Sequence, residues 1–333
     1  MSNNDKALLQ VDNVKKHYVV GRQLLTGKRT LLRAVDGVSF AIRRGETFAL
    51  VGESGCGKTT IGKMILRLTG ITSGTIRLEC RDLADYNRSE LKSLRNQIQV
   101  IFQDPYSALN PRKTIERIIL DPLIVQKRAK SARRARLLEV LDAVGLGTEC
   151  LNRYPHEFSG GQRQRVVIAR ALILNPELVI CDEPVSALDV SIRSQILNLL
   201  KSLQERFHVT YLFISHDLSV VKYISNRIAV MYLGKLCEIG DTEDFFDRPV
   251  HPYSQALLSV IPVPDPDQAR SRSKVILEGE LPSPLNPPSG CRFHTRCFYR
   301  QEICTEAEPA LNRYSDAQGR SRYCACHFSE KFM

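Results

Sequence analysis

The sequence predicts an α/β protein on a mostly parallel sheet, with its site outside the C-terminal ends of the strands. Three observations lead there. Short apolar runs, such as residues 48–51 (F-A-L-V), 178–181 (L-V-I-C) and 211–214 (Y-L-F-I), have the length and branching of buried strands. Stretches of helical period follow them. Polar residues then collect where the runs stop: a glycine-rich turn at Gly52, Gln103, the pair Asp182 and Glu183, and His216. A chain of 333 residues has room for one large domain with an appendage, or for two modest domains.

Residues 8–20 alternate enough to form a strand carrying Tyr18, a ring that either packs as an ordinary strand aromatic or stacks on a purine. A polar insertion containing Gly and Lys follows to about residue 30, and residues 34–42 (A-V-D-G-V-S-F-A-I) read as a second strand. R-R-G-E then turns into the run at 48–51, which breaks at Gly52 and resumes as a helix from Lys58, with Ile61, Met64, Ile65 and Leu68 on its apolar side. Between strand and helix stands G-x-x-x-x-G-K-[ST], met by Gly52, Gly57, Lys58 and Thr59. Glycines let the backbone turn tightly enough for successive N–H groups, those of Ser54, Gly55 and Cys56 among them, to face phosphate oxygens. The helix that follows offers its positive end to the same anion. Lys58 reaches the β- and γ-phosphates and the Thr59 hydroxyl is placed for Mg²⁺.

Residues 73–78 (S-G-T-I-R-L) read as an edge strand, and residues 98–105 as an apolar strand that yields at Gln103 before Pro105. From about 106 to 147 the pattern is helical, stopped by Gly145 and Gly147. Residues 157–173 set Ser159, Gly160 and Gly161 before a helix, either a Ser-capped start or an anion-ready N-terminus. The strand at 178–184 ends in Asp182 and Glu183, which serve as solvated end charges or, in a site, as a Mg²⁺ ligand and a base for water. S-A-L-D follows at 186–189, then an amphipathic helix from 192 to about 207, then the strand at 211–217, which delivers His216 to the same edge as Asp182 and Gln103.

Composition narrows the function. Hydrophobic content of 43% and charged content of 25% are those of an ordinary globular protein. No apolar run is long enough to cross a bilayer and the first residues form no signal peptide, so the chain is expected to be soluble or peripheral in the cytosol. The net charge of +11 suits nucleic acid, an anionic membrane or phosphate ligands. No basic tract is interleaved with aromatics as a nucleic-acid platform would be, and the densest one, 127–136, reads as a solvated helix face or, as the alternative, a membrane-facing one. Ten cysteines in such a chain are not a disulfide framework, yet Cys291, Cys297, Cys304, Cys324 and Cys326 crowd the end.

Taken together, these motifs resemble the nucleotide-binding subunit of ABC transporters over roughly residues 8–250: the loop at 52–59, Gln103, F-S-G-G-Q at 158–162, D-E at 182–183, S-A-L-D at 186–189, and His216. Phe158 departs from the family's usual Leu. The resemblance implies an ABC-type P-loop NTPase: a RecA-like core with an antiparallel β subdomain, an α-helical subdomain at about 106–156, and here a small Cys-containing C-terminal extension over 251–333. It implies two such domains, head to tail, sandwiching two ATP molecules. Tyr18 would stack on adenine; Lys58, Thr59 and Thr60 would hold phosphates and Mg²⁺, with Gln103 and Asp182 completing the metal environment. Glu183 would be the general base, and His216 would touch the γ-phosphate. Ser159, Gly160, Gly161 and Gln162 would reach ATP on the opposite subunit, and Asp189 would contact across the dimer. A membrane subunit's coupling helix would dock beside the Gln103 loop.

From residue 248 the composition shifts: ten of the sixteen prolines lie from Pro249 onward. H-P-Y-S-Q-A-L-L-S (251–259) and G-E-L-P-S-P-L-N-P-P-S-G-C (279–291) look like the C-terminal extension of ATPases serving peptide and nickel importers, and the whole chain is similar to the dipeptide/oligopeptide group. That resemblance implies an ATPase powering import of dipeptides or short peptides, or alternatively of nickel or antimicrobial peptides. It implies pairing with a paralogous ATPase as a heterodimer, two transmembrane permease subunits, and, indirectly, a substrate-binding protein, on the cytoplasmic face of a bacterial inner membrane and without nucleic acid. It also implies a [4Fe–4S] cluster on Cys291, Cys297, Cys304 and Cys326. Four thiolates suit iron–sulfur or zinc, or stand as unliganded reduced thiols; Cys324 competes for the fourth place, and His294 and His327 are nitrogen alternatives. A soluble ABC protein acting on ribosomes or DNA is the reading from another class; one cassette without sustained heptads argues against it.

Overall fold

The computed structural model describes residues 7–22, 29–261, 277, 279–315 and 321–332. They belong to two compact units interleaved along the chain: Met1–Leu8, Ile42–Thr47 and Ala84–Ile214 in the first, Leu9–Ala41, Phe48–Leu83 and Ser215–Met333 in the second. The chain opens with β1 (Ala7–Arg22), β2 (Arg29–Arg43), β3 (Thr47–Val51), α1 (Lys58–Ile65), β4 (Ser73–Leu78) and β5 (Arg81–Asp82). It continues with α2 (Leu91–Gln97), β6 (Ile98–Ile101), α3 (Pro105–Ala108), α4 (Ile115–Val125), α5 (Lys130–Val144), α6 (Gly160–Leu172), β7 (Leu178–Asp182), α7 (Val190–Phe207) and β8 (Thr210–Ser215). Then come α8 (Leu218–Ile224), β9 (Arg227–Tyr232), β10 (Lys235–Asp241), α9 (Thr242–Asp247), α10 (Pro252–Ser259), β11 (Asn312–Ser315) and β12 (Ser321–Cys324).

In the first unit β6, β7 and β8 run parallel, with Ile101 opposite Cys181 and Asp182 opposite Ile214. All of β8 and the first four residues of β7 are buried, which is why they read as unbroken apolar runs. The helical stretch expected as one pattern is three helices. Asp104 caps α3 by accepting from the Tyr106 and Ser107 amides, with Pro105 at its first position. Gly145, at φ 67°, ends α5 in the left-handed conformation. Some of the basic excess holds helix ends: Arg136, Arg165 and Arg170 donate to the carbonyl oxygens of Leu172, Val144 and Ala108 at 2.7, 2.6 and 2.5 Å. The basic segment 127–136 is only in part a solvated helix face: Lys127 and Arg128 lie in the connection before α5, Lys130 and Arg134 on α5 are exposed, and Arg133 and Arg136 are half-buried.

In the second unit a four-stranded sheet runs β2-β1-β4-β5, so β4 is not the edge strand its sequence suggested; the two-residue β5 covers it. Beyond it, β3 lies parallel to β9 with Val51 opposite Val230, and β9 turns back into β10 through Leu233 and Gly234, both at positive φ. Positive φ at both central residues is the geometry that matches strand twist in a two-residue hairpin. β10 then pairs with β12, and β12 with β11, all antiparallel. The core here joins β3 and β9 to α8 and to Phe245, Tyr253, Leu258 and Phe293. Tyr232, Tyr253 and Phe293 meet ring against ring at 4.8, 5.3 and 5.2 Å between centroids.

Candidate functional site

The glycine-rich loop leaves the buried strand β3 and opens α1 in the second unit. Two of its glycines are obligatory for close approach. Gly52, at φ 150°, has the Met231 carbonyl oxygen 2.1 Å from where a Cβ would stand, and Gly57, at φ 110°, has that of Ala34 at 2.2 Å. Ser54, Gly55 and Thr59 are exposed, Thr60 is half-buried, and Cys56 is buried, which pushes its thiol up. Lys58 is buried and folds back over the loop, its Nζ donating to the carbonyl oxygens of Gly52 at 2.7 Å and Glu53 at 3.0 Å. This cradle of backbone amides, a helix start and one lysine fits a polyphosphate, and the Thr59 hydroxyl fits a hard cation such as Mg²⁺.

Elsewhere in this unit, Tyr18 is half-buried with the Lys16 ammonium 4.7 Å from its ring centroid, so it is not a core side chain. His216 is exposed, between Ser215 and the Asp217 that caps α8 by accepting from the Ser219 and Val220 amides.

The first unit holds the remaining motif residues. Gln103 is exposed, two positions beyond β6, and Asp182 ends the neighbouring β7, so the parallel register releases both at the same sheet edge. Glu183 has a left-handed backbone at φ 51°, uncommon for a residue with a side chain. Its amide donates to the Ile214 carbonyl at 2.9 Å, and its own carbonyl accepts from the Ser186 amide and hydroxyl at 3.3 and 3.0 Å. Those bonds hold the turn against its backbone preference, the kind of strain that persists where a surrounding structure fixes it. Ser159 caps α6: its Oγ accepts from the Gln162 amide at 3.3 Å while Gln162 Oε1 accepts from the Ser159 amide at 3.0 Å. Ser159, Gly160 and Gln162 are exposed, whereas Gly161 is buried. Phe158 is buried beneath the Arg153 guanidinium, so the larger ring is absorbed by packing. Gln164, fully buried on α6, donates to the Pro184 carbonyl at 2.8 Å and ties this helix to the turn behind Glu183. Asp189 is exposed and makes no side-chain capping bond to α7.

Sequence reasoning passed over the attachments of the glycine loop to the tail. Glu238, buried in β10, accepts from the amides of Val250 and His251 at 3.0 and 2.8 Å. The Nδ1 of His251 accepts from the Tyr253 amide at 3.0 Å, so the ring carries its proton on Nε2, and burial pulls its pKa down to about 4. The Tyr253 hydroxyl accepts from the Glu53 amide at 3.0 Å, and Arg296 Nη1 lies 3.1 and 3.0 Å from the two carboxylate oxygens of Glu53. Arg292 pairs with Asp36, whose other oxygen meets His17 Nε2 at 2.9 Å. Burial works against that carboxylate, but His17, Lys235 and Arg292 hold it below its usual value. One signal was readable: a glutamate inside an anion-binding loop calls for a cation.

The cysteine cluster is corrected. Among the described residues no group of three or more His, Cys, Asp or Glu side chains is placed to hold a metal ion, so neither iron–sulfur nor zinc fits Cys291, Cys297, Cys304 and Cys326. Burial pushes the Cys291 thiol up to about 12 and that of Cys297 to about 11, and raises Cys326 as well. Cys324 is buried in β12 opposite Glu238. The nitrogen alternatives are engaged with backbone, His294 Nδ1 with the Cys291 carbonyl and His327 Nε2 with that of Ala307. Cys291 and Cys297 instead pack against the apolar core.

Two family models match the chain: ABC transporter over residues 35–186, and oligopeptide/dipeptide transporter, C-terminal region, over residues 237–304. It is 49% identical over 326 residues to the oligopeptide transport ATP-binding protein AppF of Bacillus subtilis, covering 97% of this chain and 98% of that one. It is likewise 49% identical over 308 residues to the dipeptide transport ATP-binding protein DppF of Escherichia coli, covering 92% and 91%. Among solved structures it is similar to a dimeric post-hydrolysis state of the ATP-binding cassette MJ0796 bound to ADP and Pi, with a TM-score of 0.61 and 32% identity over 70% of this chain and 98% of that one.

Proposed function

The chain belongs to the ABC transporter ATPases of the oligopeptide and dipeptide group, and from that premise we propose that it hydrolyses ATP to drive import of dipeptides or short peptides. The observation that carries the reading is a glycine loop that admits no Cβ at Gly52 or Gly57, in a chain that also has the group's C-terminal region. Lys58 and the amides from Ser54 to Thr60 bind the phosphates, and Tyr18 stacks on the adenine. Glu183 takes the proton of the attacking water, and His216 orients that water against the γ-phosphate. Bound Mg²⁺ supplies neutralisation of phosphate charge, and Thr59, Gln103 and Asp182 are the residues that would hold it. Ser159, Gly160, Gly161 and Gln162 act on ATP bound by a partner ATPase, and Asp189 faces that partner.

The two cassettes close on ATP and reopen after hydrolysis, a motion passed to two permease subunits beside the Gln103 loop. A paralogous ATPase as the partner, a substrate-binding protein upstream, and a peripheral position on the cytoplasmic face of the membrane complete the proposal. We take 1–250 as the cassette and 251–333 as the extension specific to this group. Among the described residues no helix is long and apolar enough to cross a membrane. Replacing Glu183→Gln in the assembled complex is expected to leave ATP binding intact while lowering turnover by about 10²–10⁴-fold. Turnover near that of the wild type would remove Glu183 from the role of base.

A further inference from the structure

We propose that Arg296 of the C-terminal region is a positioning residue for ATP: it compensates the Glu53 carboxylate inside the phosphate loop and fixes that loop for its anion. Glu53 stands between Gly52 and Lys58, where a negative charge opposes phosphate by simple Coulomb repulsion. The structure answers that charge with one guanidinium. Arg296 Nη1 reaches both carboxylate oxygens at 3.1 and 3.0 Å, and the arginine side chain is only 11% exposed. Glu53 keeps 27% of its side chain exposed, so the pair is partly withdrawn from water and is screened less than one at the open surface.

The same residue is held at two further points. Its amide donates to Tyr253, and its carbonyl accepts from Lys58, the lysine assigned to the phosphates. A shift of the Glu53 backbone would therefore withdraw one of the two carbonyl acceptors that hold the Lys58 ammonium. Arg296 is itself anchored: Phe293, three residues earlier, sits in the ring cluster with Tyr232 and Tyr253. Arg292, one residue before that, binds Asp36 and the Leu233 carbonyl, the latter at 3.3 Å. The carbonyls that crowd Gly52 and Gly57 belong to Met231, on the strand running into that turn, and to Ala34. The tail thus grips both the charge and the backbone of the loop.

This inference rests on the ATPase reading above, and the test separates the two. A fluorescent ATP analogue is titrated into the full-length chain, with circular dichroism to report folding, for wild type, Lys58→Ala, Arg296→Gln, Arg296→Lys, Glu53→Gln and the double variant Glu53→Gln/Arg296→Gln. Arg296→Gln is expected to weaken nucleotide binding on the order of tenfold, because the carboxylate is left uncompensated. Arg296→Lys keeps the charge but not the fork geometry, and is expected to bind between Arg296→Gln and wild type. The decisive arm is the double variant, in which removing the carboxylate restores binding to within about threefold of Glu53→Gln alone. Arg296→Gln binding as wild type does, or a double variant as weak as Arg296→Gln, overturns the inference. Wild type that binds no nucleotide, or binds it equally after Lys58→Ala, overturns the ATPase reading instead.

Discussion

Acid should loosen this protein through one imidazole, and the structure sets the size of the effect. His251 is buried, its Nδ1 is occupied by the Tyr253 amide, and its pKa is lowered to about 4 from the ordinary 6.5. In the unfolded chain the ring gains its proton as pH falls through 6.5; in the folded chain it does not until about 4. The unfolded state therefore takes up protons first, so the stability contributed by the neutral ring is whole above 6.5 and is lost as pH falls from there towards 4. The full difference is worth about 3 kcal/mol, of which about 2 kcal/mol has gone by about pH 5. His251→Asn is the reference: an amide oxygen can accept from Tyr253, the backbone amide still reaches Glu238, and nothing titrates. Urea unfolding of both proteins at about pH 7.5 and about pH 5 should show the wild type losing about 2 kcal/mol more than the variant. Contributions common to both proteins cancel in the difference, which leaves the imidazole. Parallel losses in the two proteins would refute the burial argument.

Three other changes have defined outcomes. Gly57→Ala forces a Cβ towards the Ala34 carbonyl at positive φ and should cost at least about 2 kcal/mol together with nucleotide binding, measured by thermal unfolding and titration; a stable variant that binds normally would contradict the close approach. Gln164→Ala strips the Pro184 carbonyl of its donor and should cost about 1–3 kcal/mol, with turnover falling more than nucleotide affinity. Ser159→Ala should cost only about 1 kcal/mol as a lost helix cap, so a much larger fall in turnover marks its action on the partner's nucleotide.

The glycine loop, the strands at Phe48, Leu178 and Tyr211, and the Ser159 helix start were legible because their signals are local: a buried run, a turn residue, a cap. The β9–β10 hairpin was not. Its turn is Leu233-Gly234, where a left-handed leucine replaces the usual Asn or Asp, and burial of Leu233 in the core compensates that strain. The attachment of Glu53 to Arg296 joins residues 243 positions apart, a distance no window of sequence reasoning spans. The cysteines misled for the opposite reason. Their spacing is a property of the chain, whereas ligation needs sulfurs converging on one point, and among the described residues no group of three or more His, Cys, Asp or Glu is placed to hold a metal ion.

The antiparallel match of β10 with β12, Glu238 opposite Cys324 and Ile239 opposite Tyr323, bears on how such proteins can be recombined. A chimaera spliced at residue 250 would divorce neighbouring strands of one ladder and hand each a stranger to pair with. Exchanging tails between cassettes thus calls for transplanting the outer face of β10 as well, or the hybrid would present an open strand to other chains.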